Sequence, residues 1–320
     1  MGLWKLRASM LGTLAIIIGL STLFFTAILW FAGVSLIVLP FIIVAFNIIQ
    51  WLISPYIINA LYRCKEVSKE ENPQLHETVE RLSQKSGIKK PKVMIANIPI
   101  PNAFAYSSPV AGSRVAVTSE LLRTLDADEV EAVIGHELGH LRHRDVQIVM
   151  FVSILPAIFY YVGYSMMISS MYRGGRRDDS GSGGLVILGL ASIFIYWVLT
   201  LFTLYLSRLR EYYADRHSAQ IVQDGPRKLS EGLAKIVHYS RKSKSRQNAN
   251  NLNAFKALFI SDPDRAESDS IALASTRELS SDRKLVEEVL KRKVTGLDRF
   301  VELFSTHPNI VKRLRALQLS

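Results

Sequence analysis

The chain contains 320 residues, carries a formal net charge of +11 and has a single cysteine. One cysteine excludes an intrachain disulfide and a cysteine-based zinc site. The mean hydropathy is +0.18 despite the high charge, which indicates long apolar segments kept apart from charged ones rather than a soluble basic protein. No segment resembles a nucleic-acid-binding module, and we expect no nucleic-acid partner.

The first long element is an uncharged run over residues 8–62. As one helix this run would extend about 80 Å, whereas the hydrocarbon core of a bilayer is about 30 Å thick. We therefore predict a transmembrane hairpin, residues 1–62, with spans at about 10–31 and 34–56. The length of the first span, and the second span directly after it, favour a permanent anchor over a cleaved signal peptide.

Residues 63–145 are polar and mixed, and we expect them to form the first segment of a catalytic domain. An amphipathic helix is predicted over residues 72–86, because apolar positions recur at helical spacing and Gly87 follows. Three short runs rich in β-branched or aromatic residues predict a small sheet. These runs are Lys92–Ala96, Ala103–Tyr106 and Arg114–Thr118.

The next helix is predicted to begin at Asp126, since Glu129 stands three residues later in the capping-box position. This helix contains an H-E-x-x-H motif formed by His136, Glu137 and His140. Residues four apart lie on one helical face, so both imidazoles can reach one metal ion. Glu137 lies between them and is the candidate general base toward a water activated by that metal.

Two further uncharged runs follow the motif and are separated by a turn rich in Gly, Ser, Arg and Asp. We predict a second transmembrane hairpin, residues 146–207, with spans at about 146–171 and 185–207. Basic residues are concentrated beside the spans on the side of the two termini. The positive-inside rule therefore predicts that both termini and the polar segments are cytoplasmic.

A catalytic zinc ion needs a third protein ligand and an open position. Glu211 comes shortly after the last predicted span, and Asp215 follows four residues later on the same helical face. We expect Glu211 to complete a site for one zinc ion per chain, and Asp215 to accept the free ring N–H of a ligand histidine. His143 is excluded as a ligand, because it lies two helical turns from His136.

Residues 208–320 are expected to form the second segment of the catalytic domain. Helix is predicted over residues 208–240, followed by a polar insertion over about 241–290 that is either a lid or partly disordered. An amphipathic stretch over 294–304 and a basic helix at the C-terminus complete the chain.

These features together resemble the HtpX-type membrane metallopeptidases, which are relatives of the CAAX prenyl proteases. The resemblance covers the two hairpins and four sequence signatures. These signatures are Pro101-Asn102-Ala103-Phe104-Ala105, the H-E-x-x-H motif, Glu211–Asp215 and Thr306-His307-Pro308. It implies a cytoplasmic-facing endopeptidase of the plasma membrane, active in stress response and membrane-protein quality control.

The same resemblance implies zinc ligation by His136, His140 and Glu211, with Glu137 as the general base. Asn102 is a candidate for binding substrate backbone, with a plain Pro-Asn turn as the alternative. His307 is a candidate hydrogen-bond donor to the developing oxyanion, with a turn-capping role as the alternative.

The expected fold is a mainly α membrane protein with four transmembrane helices and a cytoplasmic α+β zincin-like domain carrying a small β-sheet. The expected function is zinc-dependent cleavage of membrane or misfolded polypeptides. Two alternatives remain at this point: a prenyl-protein endoprotease, and a non-catalytic membrane scaffold with a structural metal. The predicted spans are uncharged, which argues against a transporter.

Overall fold

The computed structural model describes residues 38–173, 182–246 and 282–319. The chain divides into two compact units. Among the described residues, the polar unit comprises 52–146, 208–246 and 282–319, and the apolar unit comprises 38–51, 147–173 and 182–207. The predicted first span, at about 10–31, and the central part of the predicted insertion lie outside the described residues.

The described part of the chain is mostly helical. Its helices are α1 (Val38–Leu61), α2 (Pro73–Ser86), α3 (Ser119–Thr124), α4 (Ala127–Arg142), α5 (Asp145–Arg173), α6 (Ser182–Ile221), α7 (Gly225–Arg246), α8 (Asp282–Lys291), α9 (Gly296–Leu303) and α10 (Ile310–Leu317). Its strands are β1 (Cys64–Glu66), β2 (Lys92–Ala96), β3 (Ala103–Ser108) and β4 (Gly112–Thr118).

The four strands form one mixed sheet in the order β1-β2-β4-β3. Strand β2 runs parallel to β4, while β1 and β3 pair antiparallel with their neighbours. Strand β2 has the predicted bounds, whereas β3 and β4 extend beyond the predicted runs to meet in a tight hairpin. Strand β3 lies at one edge of the sheet, and within the described part of the chain its only strand partner is β4.

Helix α2 is confirmed, and its ends show why the sequence specifies it. The Asn72 side chain accepts a hydrogen bond from the Leu75 N–H at 3.1 Å, and Pro73 occupies the first turn. Gly87 ends the helix with a φ of +65°, a left-handed conformation that favours glycine. Its apolar face packs into the core beneath the sheet.

Helix α4 begins as predicted, because the Asp126 backbone N–H donates to the Glu129 side chain at 2.9 Å in a capping box. Most of α4 is buried. It packs against α2, α7 and strand β3, which places its motif in the centre of the polar unit. The position of this helix therefore determines the position of the two motif histidines.

Two of the described helices are long and apolar enough to cross a membrane, over Gln147–Ser170 and Gly183–Ile221. Gly163 and Gly189 face each other where α5 and α6 cross, and a Cβ added to Gly163 would lie 2.8 Å from the Gly189 carbonyl. Small residues allow apolar helices to approach this closely. Helix α1 covers most of the predicted second span, at about 34–56.

The predicted helix over 208–240 belongs to two helices in the structure, α6 and α7. Helix α6 continues without a break from the apolar segment to Ile221. A turn with Asp224 in the left-handed region, at φ +57°, then leads into α7. Helices also occupy both ends of the predicted insertion, since α7 extends to Arg246 and α8 buries Leu285 and Val289 in the core.

Helices α4 and α6 approach closely because two glycines face the contact. A Cβ on Gly139 would lie 3.1 Å from the Ala214 Cα, and a Cβ on Gly135 would lie 3.0 Å from the Ser218 Oγ. The Ser218 hydroxyl in turn donates to the Ala132 carbonyl at 2.6 Å. The backbone separation of the two helices is thus fixed by residues without side-chain bulk.

We expect Gly139→Ala to lower the free energy of unfolding by about 1–3 kcal/mol, because the added methyl group meets backbone of α6 and forces the helices apart. Urea unfolding of the detergent-solubilised protein measures this. Gly232→Ala on α7 is the matched control, since its Cβ would meet nothing closer than 3.4 Å. That control should be neutral or gain up to about 1 kcal/mol from helix propensity. Equal effects of the two substitutions would contradict the close-contact account.

Candidate metal centre

Three side chains from α4 and α6 converge at one point in the polar unit. His136 Nε2, His140 Nε2 and a carboxylate oxygen of Glu211 all lie within 4.8 Å of one another. The two Nε2 atoms are 3.1 Å apart, and each lies 3.6 Å from a Glu211 oxygen. His136 and Glu211 are buried, whereas His140 is partly accessible. The group therefore has one open side.

The His136 imidazole is oriented by Asp215. Its Nδ1 lies 2.9 Å from Asp215 Oδ1, so Nδ1 carries the proton that points at the carboxylate. Arg313 holds that carboxylate with two nitrogens, at 2.9 Å and 2.6 Å, and its third nitrogen lies 3.2 Å from Glu211. A single buried guanidinium thus fixes both acidic groups of α6.

The His140 imidazole is oriented in the same way by Asp145. Its Nδ1 lies 2.6 Å from Asp145 Oδ2, and the Arg210 Nε lies 3.2 Å from the same oxygen. Asp145 is the first residue of α5, and it follows directly on Arg144, whose φ of +54° turns the chain sharply after α4. The turn brings the start of α5 back onto the ligand face of α4.

These contacts indicate a cation at the convergence point. The Nδ1 atoms of His136 and His140 face carboxylates at 2.9 and 2.6 Å, so their Nε2 atoms face each other at 3.1 Å beside Glu211. This pair of nitrogens requires a positive charge, which is either a proton held on one imidazole or a metal ion bound to both. Two imidazole nitrogens, one carboxylate and an open side are the donor set of a catalytic zinc site, so these residues fit such an ion.

The electrostatics of the site agree with this arrangement. Burial lowers the pKa of His136, but hydrogen bonds to Asp215 and Glu211 outweigh it and raise the pKa to about 9. Burial raises the pKa of Glu211, yet His307, His136 and Arg313 together hold it well below its usual range. Without a metal the group therefore keeps a proton on His136, which a dication would displace.

Glu137 lies on α4 between the two histidines and is buried at 4% exposure. Burial raises the pKa of its carboxyl, while the nearby histidines and the backbone N–H of Ala105 lower it. Ala105 belongs to the edge strand β3, so Glu137 lies between the ligand group and that strand. A carboxylate with a raised pKa in this position is suited to take up and release a proton.

The two remaining predicted residues differ in their placement. His307 Nε2 lies 3.8 Å from Glu211 Oε1, and Thr306 Oγ1 lies 2.9 Å from its Nδ1, so His307 is adjacent to the ligand group. Asn102 is fully buried directly before β3. Its backbone N–H donates to the Thr118 Oγ1, and its carbonyl accepts from the Thr118 N–H, both at 2.9 Å.

Sequence reasoning did not identify Asp145, Arg210 and Arg313 as parts of the site. Asp145 stands five residues after His140, a spacing that gives no signal in an unbroken helix. Arg210 directly precedes Glu211 and reads as an ordinary membrane-flanking cation. Arg313 is separated from Glu211 by most of the C-terminal segment, and only the fold brings it to 1% exposure beside two carboxylates.

A second group of carboxylates in the described residues, Asp126, Glu129 and Asp282, has ligand-like spacing. The Lys235 ammonium lies between them at 3.1, 2.9 and 3.0 Å. This lysine already neutralises the acidic cluster and ties α8 to the start of α4. The cluster therefore has a structural explanation that needs no metal.

We expect Arg313→Met to lower the free energy of unfolding of the metal-free protein by about 3–5 kcal/mol, because it leaves two buried carboxylates without their cation. Urea unfolding in chelator measures this. Arg315→Met on the same helix is the control, since Arg315 is exposed and donates to the main-chain carbonyls of Leu290 and Arg292. Its cost should stay within about 1 kcal/mol. A loss at Arg313 no larger than at Arg315 would contradict the role assigned to the guanidinium.

Comparison with known proteins agrees with the geometry. Relatives similar to this chain include the Protease HtpX homolog of Thermoplasma acidophilum, 36% identical over 98% of this chain and 96% of the relative. The Protease HtpX homolog of Aeropyrum pernix is 38% identical over 97% of this chain and 94% of the relative.

Among solved structures, the fold is similar to that of S. mikatae Ste24p, with a TM-score of 0.55 and 16% sequence identity. The similarity covers 98% of this chain and 66% of the Ste24p chain. The family model "Peptidase family M48" matches residues 69–319, which include every residue of the candidate metal centre. The chain therefore belongs to peptidase family M48, and it is a metalloprotease.

Proposed function

We propose that the protein is a zinc-dependent endopeptidase anchored in a membrane, with His136, His140 and Glu211 as the zinc ligands. The observation that carries this proposal is the convergence of two imidazole nitrogens and one carboxylate beside Glu137. A structural metal has no use for an adjacent buried carboxylate with a raised pKa. The alternative of a non-catalytic scaffold is therefore disfavoured.

When bound, the zinc ion would polarise the scissile carbonyl and acidify a water molecule. Glu137 accepts the proton of the attacking water at its carboxylate and later delivers it to the departing amine. The backbone N–H of Ala105 holds this carboxylate in place before substrate binds. His307, adjacent to Glu211, is the candidate donor to the oxygen on which negative charge develops.

We propose that an extended peptide binds along the edge strand β3. The Thr118 N–H donates to the Asn102 carbonyl, and in this register the alternate residues 103, 105 and 107 direct their main-chain groups away from β4. Because the Ala105 N–H contacts Glu137, a substrate strand would pair with the Ala103 main chain and the Ala105 carbonyl, which fixes its register without reading its side chains. The buried main chain of Asn102 would anchor the beginning of this edge.

We propose four membrane spans, of which α5 and the apolar part of α6 are two and α1 contributes a third. The distribution of basic residues supports a cytoplasmic position for the polar unit. Membrane-embedded or misfolded polypeptides of the cell membrane are then the natural substrate class, consistent with protein quality control. A prenyl-protein endoprotease uses the same chemistry, and cleavage of a lipidated C-terminal peptide in preference to casein would favour that alternative.

We expect Glu137→Gln to reduce casein cleavage by a factor of about 10²–10⁴, because the amide cannot accept the water proton. One zinc ion per chain should remain, since no ligand is changed. Cleavage and zinc content are measured on protein purified in detergent under chelator and then supplied with zinc. Glu131→Gln on the same helix is the control, because Glu131 pairs with Arg81 and Lys228 and should leave cleavage unchanged. Full activity of Glu137→Gln would remove this residue from the mechanism.

We expect Asp145→Asn to weaken zinc binding by a factor of about 10–100, because His140 loses the carboxylate that fixes its tautomer. Competition against a chromophoric chelator measures the affinity. Asp128→Asn provides the comparison, since Asp128 is exposed and makes a 3.4 Å surface pair with Lys228. The same affinity in both variants would show that Asp145 does not support the site.

A further inference from the structure

In helix α9, Gly296–Leu303, a charged residue is buried and the large apolar residues are exposed, which is the opposite of an ordinary surface helix. Glu302 is the buried residue of this helix. Leu297, Phe300 and Val301 are instead 44–72% exposed, and Phe304 directly after the helix is 52% exposed. These four positions have the spacing i, i+3, i+4 and i+7, which forms a continuous stripe on one face of the helix. We call this stripe the α9 apolar face.

The burial of Glu302 fixes the orientation of the helix. Its Oε1 accepts the Asn309 N–H at 2.9 Å, and its other oxygen pairs with the Lys312 ammonium. Glu302 therefore binds α9 to the start of α10 from the protein side. Because the apolar stripe lies on the opposite side of the helix, its exposure follows from specific bonds rather than from loose packing.

The C-terminal end of α9 is hydrogen-bonded to helix α6 at Arg208. One Arg208 nitrogen donates to the carbonyls of Glu302 and Ser305, both at 2.7 Å. Arg208 is the residue that follows the predicted span at 185–207 in the continuous helix α6. Its guanidinium thus holds α9 within one side-chain length of the point where the apolar segment ends.

Charge around α9 also matches a lipid surface. Lys291, Lys293 and Arg299 are exposed beside the helix. Of its two acidic residues, Asp298 is paired with Arg292 at 3.1 Å and Glu302 is buried. An apolar face with aromatic side chains, flanked by exposed cations, is the pattern of helices that lie in the plane of a membrane interface.

We propose that α9 lies in the membrane interface, with Leu297, Phe300, Val301 and Phe304 inserted among lipid acyl chains. This inference rests on the proposed span at 185–207, because that span sets the level of Arg208. The occupant of the α9 apolar face is the lipid bilayer itself. Such a contact would seat the loop that carries His307, three residues after Phe304, at a fixed height above the membrane.

Site-directed fluorescence quenching in lipid vesicles tests this proposal. The full chain with Cys64→Ala receives one new cysteine, which is labelled with an environment-sensitive dye. It is then reconstituted into vesicles of phosphatidylcholine and phosphatidylglycerol that carry nitroxide groups on the upper acyl chain. The test position is Phe300→Cys, on an exposed side chain that no described contact requires to be buried.

Two further positions calibrate the measurement. Phe194→Cys reports on the span itself, because Phe194 is 66% exposed within it. Gln84→Cys reports on solvent, because Gln84 is exposed and lies far from the proposed span. Its neighbour Lys85 donates to the Ile221 carbonyl at 2.8 Å. Ile221 lies 14 residues past Ser207, the end of the span, which is about 20 Å along α6 at the rise of an α-helix.

We expect nitroxide lipid to quench the dye at Phe300 and at Phe194 severalfold more strongly than at Gln84. Quenching at Phe194 but not at Phe300 would overturn the proposal while leaving the span intact. If the dye at Phe300 then still showed an apolar environment, a protein segment or a second copy would be the occupant. Absence of quenching at Phe194 would overturn the span and the inference together. Equal quenching at Gln84 and Phe300 would also overturn it, because the contact would not be specific to α9.

Discussion

The structure depends on three metal-ligating groups brought together inside the polar unit. Two imidazole nitrogens and one carboxylate oxygen lie within 4.8 Å of one another, and His136 and Glu211 are buried. A proton on His136 or a bound dication supplies the positive charge that this group requires. A second side chain holds each ligand in place: Asp215 holds His136, Asp145 holds His140, and Arg313 holds the carboxylates of α6. The site is thus formed in advance, and the ion does not have to gather its ligands.

The fold achieves this with two chain segments separated by two long apolar helical stretches. Helix α4 leads into α5 through the turn at Arg144, and α6 returns as one unbroken helix that carries Glu211 beyond its apolar part. Gly135 and Gly139 let the two ligand helices lie close together. The C-terminal segment then closes the unit, because α10 supplies Arg313 and α8 is held by Lys235.

The sequence predicted those parts of the molecule whose signal is local. The capping residues Asn72 and Asp126, the strand runs and the spacing of His136 and His140 each reflect rules that act over a few residues. Arg313 could not be predicted in this way, because its partner Asp215 is far away in the chain. The change from apolar to charged residues at Arg208 suggests an element boundary. Helical hydrogen bonding nevertheless continues through Arg208, so α6 is one unbroken helix.

We propose that His136, His140 and Glu211 bind one zinc ion through two imidazoles and one carboxylate. Zinc K-edge X-ray absorption on the metal-loaded protein tests this ligand set, with the wild type compared to His307→Ala. We predict nitrogen and oxygen donors at about 2.0–2.1 Å, two imidazoles per zinc, and the same spectrum in both proteins. Three imidazoles per zinc in the wild type, falling to two in His307→Ala, would mean that His307 binds the metal and would contradict the assigned ligand set.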